Sequence, residues 1–149
     1  MSSKQNLENQ VLQGGREYGI STVLFRQAVG STVGVNATDM ECLGVLFFKG
    51  ISTPKELARY TGLTSGATTA MLDRLEKAGL IRRTPNPNDR RGTLIAVDAA
   101  AKTKVGPLFA SVREAQQKLV SSYTAQELKV IADYFTRSTE MWEAERRKL

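Results

Sequence analysis

Histidine is absent from the 149-residue sequence, and cysteine occurs once, as Cys42. A zinc site of Cys/His type therefore has no ligand set, an internal disulfide cannot form, and the side chain that most often carries protons near neutral pH is missing. These absences disfavour an enzyme, and neither a metal nor a cofactor is expected. Long apolar runs are missing too: none approaches the roughly 18 consecutive apolar residues of a membrane span. The opening MSSKQNLENQ stays polar where a signal peptide would turn apolar, so a cytoplasmic protein is expected. Repeats, low-complexity segments and dividing linkers are also lacking, and the length suits one domain with its own core. Acid is the scarcer charge. Against 15 Asp+Glu stand 21 Lys+Arg, a formal +6, which favours an anionic partner such as nucleic acid or an anionic membrane face.

What is present is a succession of helix signals. From Leu7 to about Val33 apolar residues (Leu7, Val11, Tyr18, Phe25, Ala28) recur at helical spacing, weakened by Gly14, Gly15, Gly19 and Gly30. One long helix is expected there, open to interruption near the glycine pair. Thr38-Asp39-Met40-Glu41, Thr53-Pro54-Lys55-Glu56 and Thr124 with Glu127 have the Thr-x-x-Glu form of a capping box and predict helix starts. The first opens a short helix with Leu43, Leu46 and Phe47 on its apolar face, ended near Gly50. The second, with Pro54 at the first helical position, runs to about Tyr60 and buries Leu57 and Ala58. The third opens a last helix carrying Leu128, Ile131, Phe135 and Trp142. Glu41, Glu56 and Glu127 are thereby accounted for as caps rather than catalytic carboxylates, and no phosphate cradle or nucleophile motif appears.

Between these, Gly62 breaks the chain and Leu63-Thr64-Ser65 opens a helix with Ala67, Met71, Leu72, Leu75 and Ala78 at steps of three and four, stopped by Gly79. LIRRT (80–84) and TLIAV (93–97) have strand composition, so NPNDRRG reads as the long tip of a hairpin. After Asp98, Val105, Leu108, Phe109, Val112, Ala115 and Leu119 mark an amphipathic helix in which Pro107 is tolerable only near the first turns or as a kink. Two short helices joined by a Thr-Gly turn, the second followed by a hairpin, is the order of a winged helix-turn-helix. The fold expected is mainly α with a small β-hairpin wing (α+β).

The helix at Thr64 differs from its neighbours in its first turn. Where the others carry glutamate, it has Ser65, Gly66 and Ala67, followed by Thr68, Thr69 and Ala70, and its first acid is Asp73. A glutamate at the positive end of the helix dipole would repel a phosphate. Small side chains let a helix enter a major groove only about 12 Å wide, and the hydroxyls can meet base edges or phosphates.

LTSGATTAMLDRLEKAGLIRR followed by PNPNDRRG resembles the MarR family of bacterial winged-helix transcription regulators, over residues 37 to 97, and the flanking helices agree in order. The resemblance implies a single chain, 1–149. Residues 37–97 would form the winged helix-turn-helix DNA-binding region, and 1–36 and 98–149 the N- and C-terminal dimerisation helices. It implies a homodimer that reads a pseudo-palindromic operator, as a repressor released by a small effector, aromatic or phenolic. The implied partners are double-stranded DNA, a second copy and that effector, with no membrane. By position, Ser65, Gly66, Ala67, Thr68 and Thr69 would enter the major groove. Arg74 and the N-terminus of the helix at Thr53 would hold phosphates. Asp89, Arg90 and Arg91 match the wing motif, in which an arginine enters the minor groove; the sequence does not choose between Arg90 and Arg91. Asp89 is expected to accept from backbone N–H groups of the turn or from a nearby arginine, and so to aim the guanidinium.

Candidate walls for an effector are Phe25, Met40, Phe47 and Phe109, although each such residue is more often plain core. Cys42 raises the alternative of a thiol redox sensor, but it lies in TDMECL of the second helix, away from the first-helix cysteine of peroxide-sensing members, and its neighbours suit an inert core residue. A further alternative is an architectural protein that binds DNA by charge without sequence preference.

Overall fold

The computed structural model describes residues 2–149. Its elements are α1 (Ser3–Val33), α2 (Ala37–Lys49), α3 (Pro54–Thr61), α4 (Ser65–Lys77), β1 (Ile81–Asn86), β2 (Asp89–Val97), α5 (Ala99–Ser121) and α6 (Ala125–Arg146). The chain divides into two compact units, one ending at Leu108 and the other Phe109–Leu149. None of the helices among the described residues is long and apolar enough to cross a membrane.

α1 runs through Gly14 and Gly15 without interruption, starting from a Ser2 cap whose hydroxyl accepts from the Gln5 N–H. Each glycine costs an exposed helix only about 1 kcal/mol. Thr38 does not cap α2. Asn36 does, its Oδ1 accepting from the Asp39 N–H at 2.8 Å, and Glu41 instead pairs with Arg26 of α1. Asn is as good a cap as Thr, so the chain had two candidates two residues apart. Thr53 caps α3, and Thr124 with Glu127 forms the complete reciprocal box on α6. Pro107 lies inside α5.

The core of the first unit joins Leu43 and Leu46 of α2, Leu57 of α3, Met71, Leu72 and Leu75 of α4, and Leu80, Ile81 and Ile95 around the hairpin, all buried. α4 stops in a left-handed Gly79 (φ 71°), and the Leu80 N–H reaches back to the Leu75 carbonyl at 3.0 Å. That turn delivers the chain directly into β1. The antiparallel hairpin is tied near its base: Ile95 donates to the Ser52 carbonyl before α3, and Asp98 to the Leu80 carbonyl. In the second unit no residue of α6 is buried; Phe135 and Trp142 stand open to solvent.

Candidate nucleic-acid interface

α4 divides cleanly by face. Thr68, Met71, Leu72 and Leu75 point inward, while Ser65, Gly66, Ala67, Thr69 and Ala70 are exposed. Thr64 caps the helix by accepting from the Ala67 N–H at 3.2 Å, and no acid lies in the first turn. The outward surface is thus small side chains and hydroxyls at the positive end of a helix, a shape a groove admits and a charge a phosphate favours.

The wing differs from the long tip that the composition suggests. β1 and β2 are joined across Pro87 and Asn88, and Arg90 and Arg91 belong to β2. The register explains their prominence. Pairing runs evenly from Ile81↔Val97 to Pro85↔Thr93 and then jumps to Asn86↔Asp89, so residues 90–92 have no register partner on β1 and form a bulge. Proline cannot extend a ladder through its nitrogen, and Pro85 sits where the pairing slips. Asn86 Oδ1 accepts from the Asn88 N–H and Asp89 Oδ1 from the Arg91 N–H, each at 3.0 Å. Of the two roles open to Asp89, the backbone one is formed: it shapes the bulge on which the arginines stand. Arg90 and Arg91, both exposed, border an open cleft of about 470 Å³ with Arg83, Gly92 and Thr93.

Other candidates sit differently. Thr68 is only 1% exposed and its hydroxyl donates to the Thr64 carbonyl, so it belongs to the inner face of the helix and not to the exposed one expected of a groove contact. Arg74 is paired with buried Asp39 through two parallel bonds of 2.7 and 2.8 Å, the contact that chiefly raises its pKa, while its side chain stays 53% exposed. A desolvated carboxylate demands such a partner. At the start of α3 the Thr53 hydroxyl accepts from the Glu56 N–H and donates to the Glu56 carboxylate, leaving a negative charge where a phosphate was expected. Among the effector candidates, Met40 is core, Phe25 is half-buried, Phe47 packs edge-on against Phe48 beneath Lys102, and Phe109 belongs to the second unit. None of the four lines the wing cleft or a second cleft of about 320 Å³ between the Gly34–Asn36 turn and the end of α4. Cys42 is buried, and desolvation, with Asp39 and Glu41 adding to it, raises its pKa, which disfavours a reactive thiolate.

Besides the Arg26–Glu41 pair, sequence reasoning missed two ion-pair systems. One is Asp39 with Arg74. The other is Arg83 of β1, which binds Glu76 and Asp73 of α4. The signal for the second was present: Asp73 and Glu76 stand three apart, hence on one helix face, just before a basic strand.

An exposed, acid-free helix start beside a bulged arginine wing defines a winged helix-turn-helix. Known proteins agree. The model of the MarR family matches residues 35–93. The chain is 36% identical over 148 residues to the uncharacterized HTH-type transcriptional regulator YcgE of Bacillus subtilis, covering 99% of this chain and 96% of that one. It is 42% identical over 73 residues to the multiple antibiotic resistance protein MarR of Salmonella typhimurium, 48% of this chain and 51% of that protein. Among solved structures, the MarR family transcription regulator SP03579 superposes with a TM-score of 0.71 at 15% identity, covering 98% of this chain and 97% of that one. A mutant of Escherichia coli MarR complexed with operator DNA superposes at 0.54 with 24% identity, over 87% and 96%. The chain belongs to the MarR family and is a helix-turn-helix transcriptional regulator, not an enzyme.

Proposed function

We propose that this regulator acts in the cytoplasm as a homodimeric repressor that binds a pseudo-palindromic operator. Ser65, Gly66, Ala67 and Thr69 would meet the major groove, and Arg90 or Arg91 the adjacent minor groove. The observation that carries the reading is the combination of the small, uncharged first turn of α4 with the bulge that residues 90–92 form in β2. The operator complex of the related E. coli protein supports it at the level of fold. A dimer is supported by Leu7, Val11 and Leu12 on α1 and Phe135 and Trp142 on α6, large apolar side chains that stay exposed in the single chain. Release by a small aromatic effector rests on family membership alone.

DNase I footprinting on the DNA flanking the protein's own gene tests the reading. A regulator protects one pseudo-palindrome whose half-sites lie about one helical turn, roughly 10 bp, apart. Diffuse protection over the whole fragment would identify an architectural protein instead. Salt dependence does not separate the two, because phosphate contacts give a steep slope in both.

A further inference from the structure

Asp73 and Glu76 are the only acids on α4, and one arginine holds both. Glu76 Oε1 accepts from the Arg83 backbone N–H at 3.0 Å, while its Oε2 accepts from Arg83 Nη2 at 2.8 Å and Nε at 3.1 Å. The same Nη2 reaches Asp73 Oδ1. Arg83 borders the wing cleft, and its guanidinium is bonded to the two acids of the helix. Its side chain is 28% exposed, and its neighbour in the register is Ile95, whose own N–H is pinned to Ser52. β1 is thus fastened to α4 at the last evenly paired stretch before the bulge.

We infer that Glu76 and Arg83 are positioning residues that set the angle of the wing against the reading helix, and that Arg83 neutralises the acids of α4 rather than gripping phosphate. This rests on the DNA-binding reading and deepens it. The lever is plain: residues 90–92 lie several residues beyond the clamp at about 3.3 Å per residue, so a rotation of about 10° there moves the arginines by about 2–3 Å. A displacement of that size breaks hydrogen-bond geometry at a groove.

The test sets two electrostatic expectations against each other. Deleting an acid beside DNA should strengthen binding to every duplex. With the clamp, Glu76→Ala instead weakens operator binding about tenfold while affinity for an unrelated duplex holds or rises, so the specificity ratio falls at least tenfold. Operator and unrelated duplex gaining in parallel would overturn the inference. Arg83→Gln should leave the slope of log affinity against log salt unchanged, whereas a phosphate contact would reduce it by about 1; such a reduction would also overturn it. Melting temperature and oligomeric state check that the variants are folded, and Glu76→Gln with Arg83→Lys serve if Glu76→Ala is not. Should the wild type show no site preference, the regulator reading fails by itself. The clamp is then judged on free protein: backbone amides 90–92 must exchange faster in Glu76→Ala than in wild type, and unchanged exchange refutes it.

Discussion

At Gly92 a β-carbon would stand 3.1 Å from Asp89 Oδ2 and 3.3 Å from the β-carbons of Asn86 and Asp89. A side chain there requires Asn86 and Asp89 to give by a few tenths of an ångström, which disturbs the bulge. Gly92→Ala is therefore expected to weaken operator binding several-fold in a fluorescence anisotropy titration while leaving the melting temperature nearly unchanged, since the crowding lies outside the core. The reading helix offers the converse at Ser65. Ser65→Glu places an acid in the first turn of α4, which stabilises the helix by about 0.3–1 kcal/mol through its dipole, yet repels the backbone of a duplex. Stability rising while DNA affinity falls at least tenfold is the signature to look for; parallel changes would argue that this turn does not face DNA. Burial likewise fixes the behaviour of Cys42. With its thiol pKa raised by desolvation, alkylation by iodoacetamide near pH 8 should be slow in native protein and fast in denaturant, and operator binding in peroxide should match that of Cys42→Ser. At this scale the sequence was legible where a feature lies along one helix, as in the acid-free, exposed first turn of α4. It was illegible where a feature depends on distant partners. Asp39 and Arg74 lie 35 residues apart, and nothing local in either segment announces that one neutralises the other.

Among the elements, every helix could be found in advance, because 3.6-residue periodicity and capping residues are local properties. Boundaries were less secure where two caps compete: Asn36 and Thr38 both suit the start of α2, and the structure uses the first. The wing was half legible. Strand composition located both arms, but the slip between Pro85 and Asn86, which converts a long tip into a bulge, is a matter of register that composition does not encode. Caps also carry a pH dependence. The Thr124 backbone N–H, then its hydroxyl, hold the Glu127 carboxyl below its ordinary pKa. The folded value is depressed, so this contribution is fully present above the ordinary carboxylate pKa and is lost as pH falls through the lowered value. Acid titration followed by circular dichroism should show helix loss in that window, reduced in Glu127→Gln; an identical profile for the variant would remove the cap from the explanation.

Large apolar side chains stand exposed on both α1 and α6. Trp142 is 68% exposed, and Leu7, Val11 and Leu12 on α1 are likewise open. Sedimentation equilibrium is expected to give a dimer, and Leu12→Glu combined with Trp142→Glu to give a folded monomer that has lost operator affinity; a wild-type monomer with full affinity would refute the two-fold reading. The central claim is that paired reading heads, each a small uncharged helix start beside an arginine bulge, recognise symmetric DNA. It is tested most directly by selecting bound duplexes from a randomised DNA library. A regulator of this kind enriches a single pseudo-palindrome with half-sites roughly 10 bp apart, and Arg91→Ala or Arg90→Ala relaxes A·T preference beside the half-sites. Enrichment of no sequence at all, or of an asymmetric one indifferent to both arginines, would contradict it.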